Sequence, residues 1–141
     1  ENYFSAVNDL MGYLSRRDHS IKELREKLRR KYTVAEVNQA LEAAHENGWL
    51  IPPEELAEKV AAELSRKGKG RNYIRNYLAQ KGLPSVQFEE ENELEKGFEV
   101  ARNKFGEGRA EKIEDRKKIY QFLVNRGFDS SVARKVSHEE L

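Results

Sequence analysis

The sequence predicts an all-α protein made of three tandem three-helix repeats. Its main signal is a repeated string: residues 14–28 read LSRRDHSIKELREKL and residues 64–78 read LSRKGKGRNYIRNYL. A third copy follows at a shift of 45 residues, where the Lys-Gly-Leu of residues 81–83 falls on the Arg-Gly-Phe of residues 126–128. Periods of this size are typical of stacked helical units. Apolar residues recur at helical spacing, and no stretch alternates with period two, so no strands are predicted.

The first predicted repeat covers residues 1–51, of which residues 1–6 resemble a protease-tag remnant and are excluded from functional reasoning. Its first helix is expected over residues 7–15. The two later helices each open with a capping box, a Ser or Thr N-cap followed three residues on by Glu: Ser20 with Glu23, and Thr33 with Glu36. Gly48 is expected to end the third helix.

The second predicted repeat covers residues 52–92 and the third covers residues 93–141, each again with three helices. The second begins at Pro52 and Pro53, because proline suits the first turn of a helix. The third begins near Leu94, and its first helix is expected to break at the Gly-Glu-Gly of residues 106–108.

Composition argues against several classes of function. The chain has no cysteine, which excludes disulfides and cysteine-based metal or nucleophile chemistry. No apolar run reaches the roughly 18 residues of a membrane span. The three histidines, at 19, 45 and 138, lack zinc-site spacing, and no Walker-type phosphate loop is present. We therefore expect a cytoplasmic, monomeric binding protein with no enzyme activity, cofactor or metal.

The net charge of +1 conceals bands of opposite sign. Residues 14–31 carry a net charge of +5, residues 36–63 of -6, residues 88–99 of -5 and residues 102–118 of +3. Between them, residues 64–87 contain six basic side chains and no acidic one. A charge run is usually a solvated face, but an acid-free band in phase with a repeat can also follow a phosphate backbone or an acidic protein groove.

On a helical wheel, Lys22, Arg25 and Arg29 lie on one flank of an apolar stripe. Arg71 and Arg75 take the corresponding flank in the second copy, with no carboxylate nearby in sequence. An outward Tyr between these arginines would offer a stacking surface for a base. The predicted contact residues for partner or DNA are Arg16, Arg17, Lys22, Arg25, Arg29, Arg66, Lys67, Lys69, Arg71, Tyr73, Arg75, Arg116, Lys117 and Lys118.

Ordered motifs in three successive units resemble the bacterial RecX family of regulatory proteins. They are SRRDHSIKELREKLRRKY, then GWLIPPEELAEKVAAELSRKGKGRNYIRNYLAQKGL, then LEKGFEVARNKFG and KKIYQFLVNRGFDSSVARKV. The resemblance covers roughly residues 7–136. The chain departs from the family pattern at Ile51–Leu56, where Asp-Asp and, a little later, an aromatic usually stand. It also departs at Lys31-Tyr32, where no glycine follows the lysine.

The resemblance implies an elongated, curved body that binds the RecA recombinase filament on DNA. It implies inhibition of filament extension, ATP hydrolysis, strand exchange and co-protease activity, and so modulation of recombination and the SOS response. Single- and double-stranded DNA are implied as weaker or secondary partners. Two alternatives remain open from the residues themselves: a sequence-independent nucleic-acid-binding helical module, and a helical-repeat scaffold for another protein.

Overall fold

The computed structural model describes residues 2–141, which form eight α-helices and no strand. The helices are α1 (Asn2–Arg16), α2 (Ile21–Arg29), α3 (Val34–Glu46), α4 (Pro53–Arg66), α5 (Arg71–Gln80), α6 (Glu90–Phe105), α7 (Ile113–Asn125) and α8 (Ser130–His138). The predicted all-α class and the helical-repeat architecture are confirmed. Glu1, the first residue of the predicted tag remnant, lies outside the described residues.

One compact unit contains the residues up to Glu58 together with Ala79–Pro84. Helices α1 to α3 enclose its core, which includes the fully buried side chains Leu10, Leu24, Leu28 and Val37. Both predicted capping boxes are present, since the hydroxyls of the two N-caps accept from the N–H groups three residues on and the Glu side chains accept in return. Local sequence therefore fixes where α2 and α3 begin.

The other compact unit contains Lys59–Leu78 and Ser85–Leu141. Helices α6 to α8 enclose its core, with Leu123, Phe128 and Val136 among the most deeply buried side chains. Gly97 lets α6 approach α8 closely, because a Cβ at this position would lie 3.1 Å from Cγ1 of Val132. Helix α6 ends at Phe105, immediately before the predicted Gly-Glu-Gly break.

The second predicted repeat contains two helices, α4 and α5, so the expected third helix is wrong. Residues 81–89 form no helix. Gly82, with a φ of 69°, ends α5, and Pro84 disfavours a helical conformation at the residue before it. Helix α6 then begins at Glu90 rather than near Leu94, which leaves too little chain for another helix. The two compact units divide α4 and α5, and the three repeat boundaries stay a prediction.

The Lys-Gly turn after α5 lies against the beginning of α2, within the first unit. A Cβ on Gly82 would come 3.0 Å from Cβ of Lys22, and Nζ of Lys22 donates a hydrogen bond of 2.9 Å to the carbonyl of Gln80. Nζ of Lys81 also lies 3.2 Å from Oε2 of Glu23. The turn is therefore held by both backbone and side-chain contacts.

The Arg-Gly turn after α7 lies in the same way against the beginning of α5, within the second unit. A Cβ on Gly127 would come 2.4 Å from Cβ of Tyr73. The N–H of Gly70 donates to the carbonyl of Arg126 at 2.8 Å, and the N–H of Asn72 donates to the carbonyl of Gly127 at 2.9 Å. Because Asn72 corresponds to Lys22 in the 50-residue repeat, the same kind of junction is built twice.

Candidate partner and nucleic-acid interface

Helix α2 exposes the three cations that the sequence places on one flank. Besides the Lys22 contact described above, Nη1 of Arg25 donates to Oδ1 of Asn38 at 2.7 Å, and Nη1 of Arg29 donates to the carbonyl of Tyr32 at 2.6 Å. These acceptors are neutral, so they hold the side chains in place without cancelling their charge. The flank is therefore a positively charged surface that can attract an anionic partner.

Arg16, at the end of α1, and Arg17, which follows it, are both exposed, and Arg17 also forms an ion pair. Nη2 of Arg17 lies 2.8 Å from Oε2 of Glu23, the carboxylate that also binds Lys81. Burial raises the pKa of Glu23, but hydrogen bonds from Arg17, the Ser20 N–H and Lys81 outweigh it and hold this pKa at about 2. Arg17 thus helps to fix the start of α2.

Arg71 is tied into the second unit, although no carboxylate stands near it in sequence. Its guanidinium donates to Oδ2 of Asp129 and lies 3.7 Å from Glu90, and only 16% of its side chain is exposed. Its backbone N–H donates to Oε2 of Glu93 at 2.7 Å. The hydrogen bond from Arg71 lowers the pKa of the Asp129 carboxyl against the opposing effect of burial. Arg71 has no carboxylate nearby in sequence, but the fold brings it to Asp129 and Glu90.

Lys69, Tyr73 and Arg75 lie on the exposed side of the α5 region. Nζ of Lys69 sits 4.6 Å from the ring centroid of Tyr73, which is 36% exposed. The Arg75 guanidinium lies 5.4 Å from the ring centroid of Phe88, and its Nη1 donates to Asn72. Cation–π contacts of this kind orient a cation while leaving its charge available. These residues form a basic and aromatic surface in the second unit.

Arg66 and Lys67 lie at a cleft of about 780 Å³ in the second unit. Three further basic residues line it that the sequence analysis did not select: Lys96, Lys104 and Arg126. They come from α6 and from the end of α7, so only the fold brings them to the end of α4. The available signals were weak: Lys96 and Lys104 are eight residues apart on one helix, and Arg126 aligns with Lys81 in the repeat.

The cluster at residues 116–118 has mixed roles. Nε and Nη2 of Arg116 donate to the carbonyls of Ala110 and Glu111, at 2.9 and 3.1 Å, which secures the segment before α7. Lys117 and Lys118 are exposed. Two of the three predicted cations are therefore open to a partner, and the third holds the backbone.

Other kinds of site receive no support from the described residues. No group of three or more potential metal ligands occurs among residues 2–141, and none of their helices is long and apolar enough to cross a membrane. His19 is buried, with Nδ1 3.1 Å from the carbonyl of Arg17 and Nε2 2.8 Å from Nζ of Lys27. Burial lowers the pKa of His19, which favours its neutral form as a packing residue.

Fold and surface together define a class: a helical-repeat protein with basic surfaces suited to binding an anionic partner. Family comparison gives the particular group. The first three-helix domain of RecX matches residues 6–42, and the third three-helix domain of RecX matches residues 90–136. The chain belongs to the RecX family of regulatory proteins.

Individual relatives agree with this assignment. The chain is 31% identical over 130 residues to the regulatory protein RecX of Actinobacillus pleuropneumoniae serotype 5b (strain L20), covering 89% of this chain and 85% of that protein. It is 35% identical over 128 residues to RecX of Chlorobium phaeobacteroides (strain BS1), covering 86% of this chain and 84% of that protein. The crystal structure of RecX from Lactobacillus salivarius is similar in fold, with a TM-score of 0.74 and 19% identity. The match covers 95% of this chain and 93% of that one.

Proposed function

We propose that this chain binds the RecA recombinase filament on DNA and blocks its extension. The consequence is inhibition of RecA ATP hydrolysis, strand exchange and co-protease activity, and through them modulation of recombination and the SOS response. The chain acts by binding rather than by catalysis, as a monomer in the cytoplasm. The observation that carries the proposal is the basic flank of α2 in a RecX-family chain, where Arg25 and Arg29 are held by neutral acceptors.

Each compact unit contributes contacts of its own. The first supplies Lys22, Arg25 and Arg29, and the second supplies Lys69, Tyr73 and Arg75. A surface contact between single exposed charges contributes only about 0.2–1 kcal/mol. Several such contacts on one chain add through effective concentration, because the first binding event raises the local concentration of the remaining contacts. A repeated basic surface therefore suits a partner that is itself repetitive.

The test is the single-stranded-DNA-dependent ATPase of a bacterial RecA, titrated with the wild-type chain and with Arg25→Glu/Arg75→Glu. We expect the wild type to inhibit well below one copy per recombinase, as blocked extension requires, and the double variant to lose inhibition. The matched control is Arg30→Glu/Lys135→Glu, which makes the same change in net charge at two other exposed positions. Circular dichroism verifies that both variants keep their helical content.

Three results would refute the proposal or its assignment to these residues. Failure of the wild type to inhibit, with clear oligonucleotide binding, would indicate the plain nucleic-acid-binding module instead. Equal inhibition by the wild type and the Arg25/Arg75 variant would remove the basic flank from the mechanism. Equal loss in both double variants would show that net charge, rather than position, matters.

A further inference from the structure

We infer that the basic cleft of the second unit binds the phosphodiester backbone of a single nucleic-acid strand. The cleft has a volume of about 780 Å³ and lies at the meeting of the end of α4, α6 and the end of α7. The basic cleft is lined by the cations Arg66, Lys67, Lys96, Lys104 and Arg126. The inference deepens the proposed function and rests on it, since it assigns the DNA of the filament to one part of the chain.

The charge of the basic cleft is strongly unbalanced. Five cations line it, and Glu99 is the one carboxylate among its lining residues. Nζ of Lys96 is neutralised by Oε1 of Glu93 at 3.0 Å, whereas Arg66, Lys67 and Lys104 form no ion pair within residues 2–141. Like charges gathered in one concave site repel each other and focus a positive potential. A bound anion relieves that repulsion.

Arg126 shapes the basic cleft more than it serves as a free charge. Its Nη2 and Nε donate to the carbonyls of Lys67 and Gly68, at 2.7 and 3.2 Å. Gly68 has a φ of 81°, and a Cβ there would lie 3.1 Å from Nη2 of Arg126 and 3.0 Å from Cγ2 of Val100. The glycine thus allows the arginine to reach the loop and to hold Lys67 at the mouth of the basic cleft.

The ring of Phe122, which also lines the basic cleft, orients two of its cations. Nζ of Lys104 lies 6.0 Å and the guanidinium of Arg126 lies 5.5 Å from the ring centroid of Phe122. Phe105 packs nearly perpendicular to the same ring, with centroids 5.3 Å apart. Because its neighbours already occupy Phe122, the ring orients the cations and does not offer a stacking platform for a base. The chemistry is therefore that of a phosphate chain, read without regard to base sequence.

The size of the basic cleft favours one strand. A pocket of 300–1,000 Å³ is of the order that encloses a small ligand, so it admits a short length of backbone but not the width of a duplex. For a single strand, each phosphate contact makes the slope of log K against log salt concentration more negative by about 0.7. Three unpaired cations predict a contribution of about -2 to that slope.

The experiment measures fluorescence anisotropy of a labelled single-stranded oligothymidylate without recombinase, from low to moderate salt. We expect Arg66→Glu/Lys104→Glu to weaken binding at least tenfold at low salt and to reduce the slope by about 1.4. The matched control, Arg102→Glu/Lys112→Glu, makes the same charge change in the second unit outside the lining residues, with Arg102 on the same helix as Lys104. It should stay within about twofold of the wild type.

Three outcomes would overturn the inference: no oligonucleotide binding by the wild type, equal loss in the cleft and control variants, or displacement of the oligonucleotide by poly-glutamate of equal charge as readily as by unlabelled oligonucleotide. The last would indicate an acidic protein segment as the occupant. Because the anisotropy experiment contains no recombinase, a negative result in it does not decide whether the chain inhibits RecA. The ATPase titration decides that separately. Conversely, a chain without RecA inhibition can still show strand binding in this cleft.

Discussion

Replacing Gly127 by alanine should open the junction between the turn after α7 and the beginning of α5. The added Cβ would lie 2.4 Å from Cβ and 2.6 Å from the backbone N of Tyr73, so backbone must move. Gly127 also has a φ of 98°, outside the usual range of residues with a side chain. The substitution therefore introduces both strain and a clash, and the two effects can be separated.

Backbone strain alone is expected to cost about 1–2 kcal/mol. If the turn moves away, the hydrogen bonds from Gly70 N–H and Asn72 N–H are lost as well, at a net cost of about 0.5–1.5 kcal/mol each. The sum is a destabilisation of about 2–5 kcal/mol for Gly127→Ala. Gly108→Ala isolates the strain, because Gly108 lies in the same unit with a φ of 111° and nothing within 4 Å of an added Cβ.

Urea unfolding of both variants gives the difference in stability, and amide hydrogen exchange locates it. We expect Gly127→Ala to be more destabilising than Gly108→Ala by about 1–3 kcal/mol. The amides of Gly70 and Asn72 should exchange faster in Gly127→Ala only. Equal destabilisation, or unchanged protection of those two amides, would refute the assigned role of the junction.

Two further predictions concern ion pairs within single units. The pKa of Glu23, about 2, lies below its ordinary value, so the ionised carboxylate stabilises the fold above pH 4.5 and this contribution falls away as the pH drops towards 2. Glu23→Gln, which keeps the cap, should cost up to about 3 kcal/mol of stability at pH 7. In a plot of the urea midpoint against pH, the same variant should flatten the decline on the acid side. Asp129→Asn should lower the free energy of unfolding in urea by about 1–3 kcal/mol, because Arg71 loses its charged acceptor. If either variant were as stable as the wild type, the ion-pair role of the residue replaced in it would be contradicted.

Features that depend on a few consecutive residues could be predicted from the sequence. The two capping boxes and the end of α6 before Gly106 involve contacts within one helical turn, so their signals are local. The missing third helix of the second repeat was also locally signalled, by Gly82 and Pro84 close together. The repeat suggested a third helix there, and the local turn residues prevailed.

The candidate site was harder to predict, because its residues meet only in the folded chain. Arg71 is a repeat-matched cation in an acid-free band, yet its acceptor Asp129 lies 58 residues away. Lys104 and Arg126 join Arg66 at the basic cleft from other helices. A helical wheel gives the flank of one helix, but it cannot give the element that packs beside that flank.

The repeated junction also explains an irregularity of the repeat itself. Glycine follows the basic residue at positions 82 and 127, where the turn must pass close to the start of an earlier helix. In the first copy Tyr32 stands in this place. Tyr32 is instead buried in the first core, and its hydroxyl donates to Oδ2 of Asp9 at 2.6 Å. The glycine is thus required by the junction, not by the end of the helix, since α2 ends at Arg29 without one.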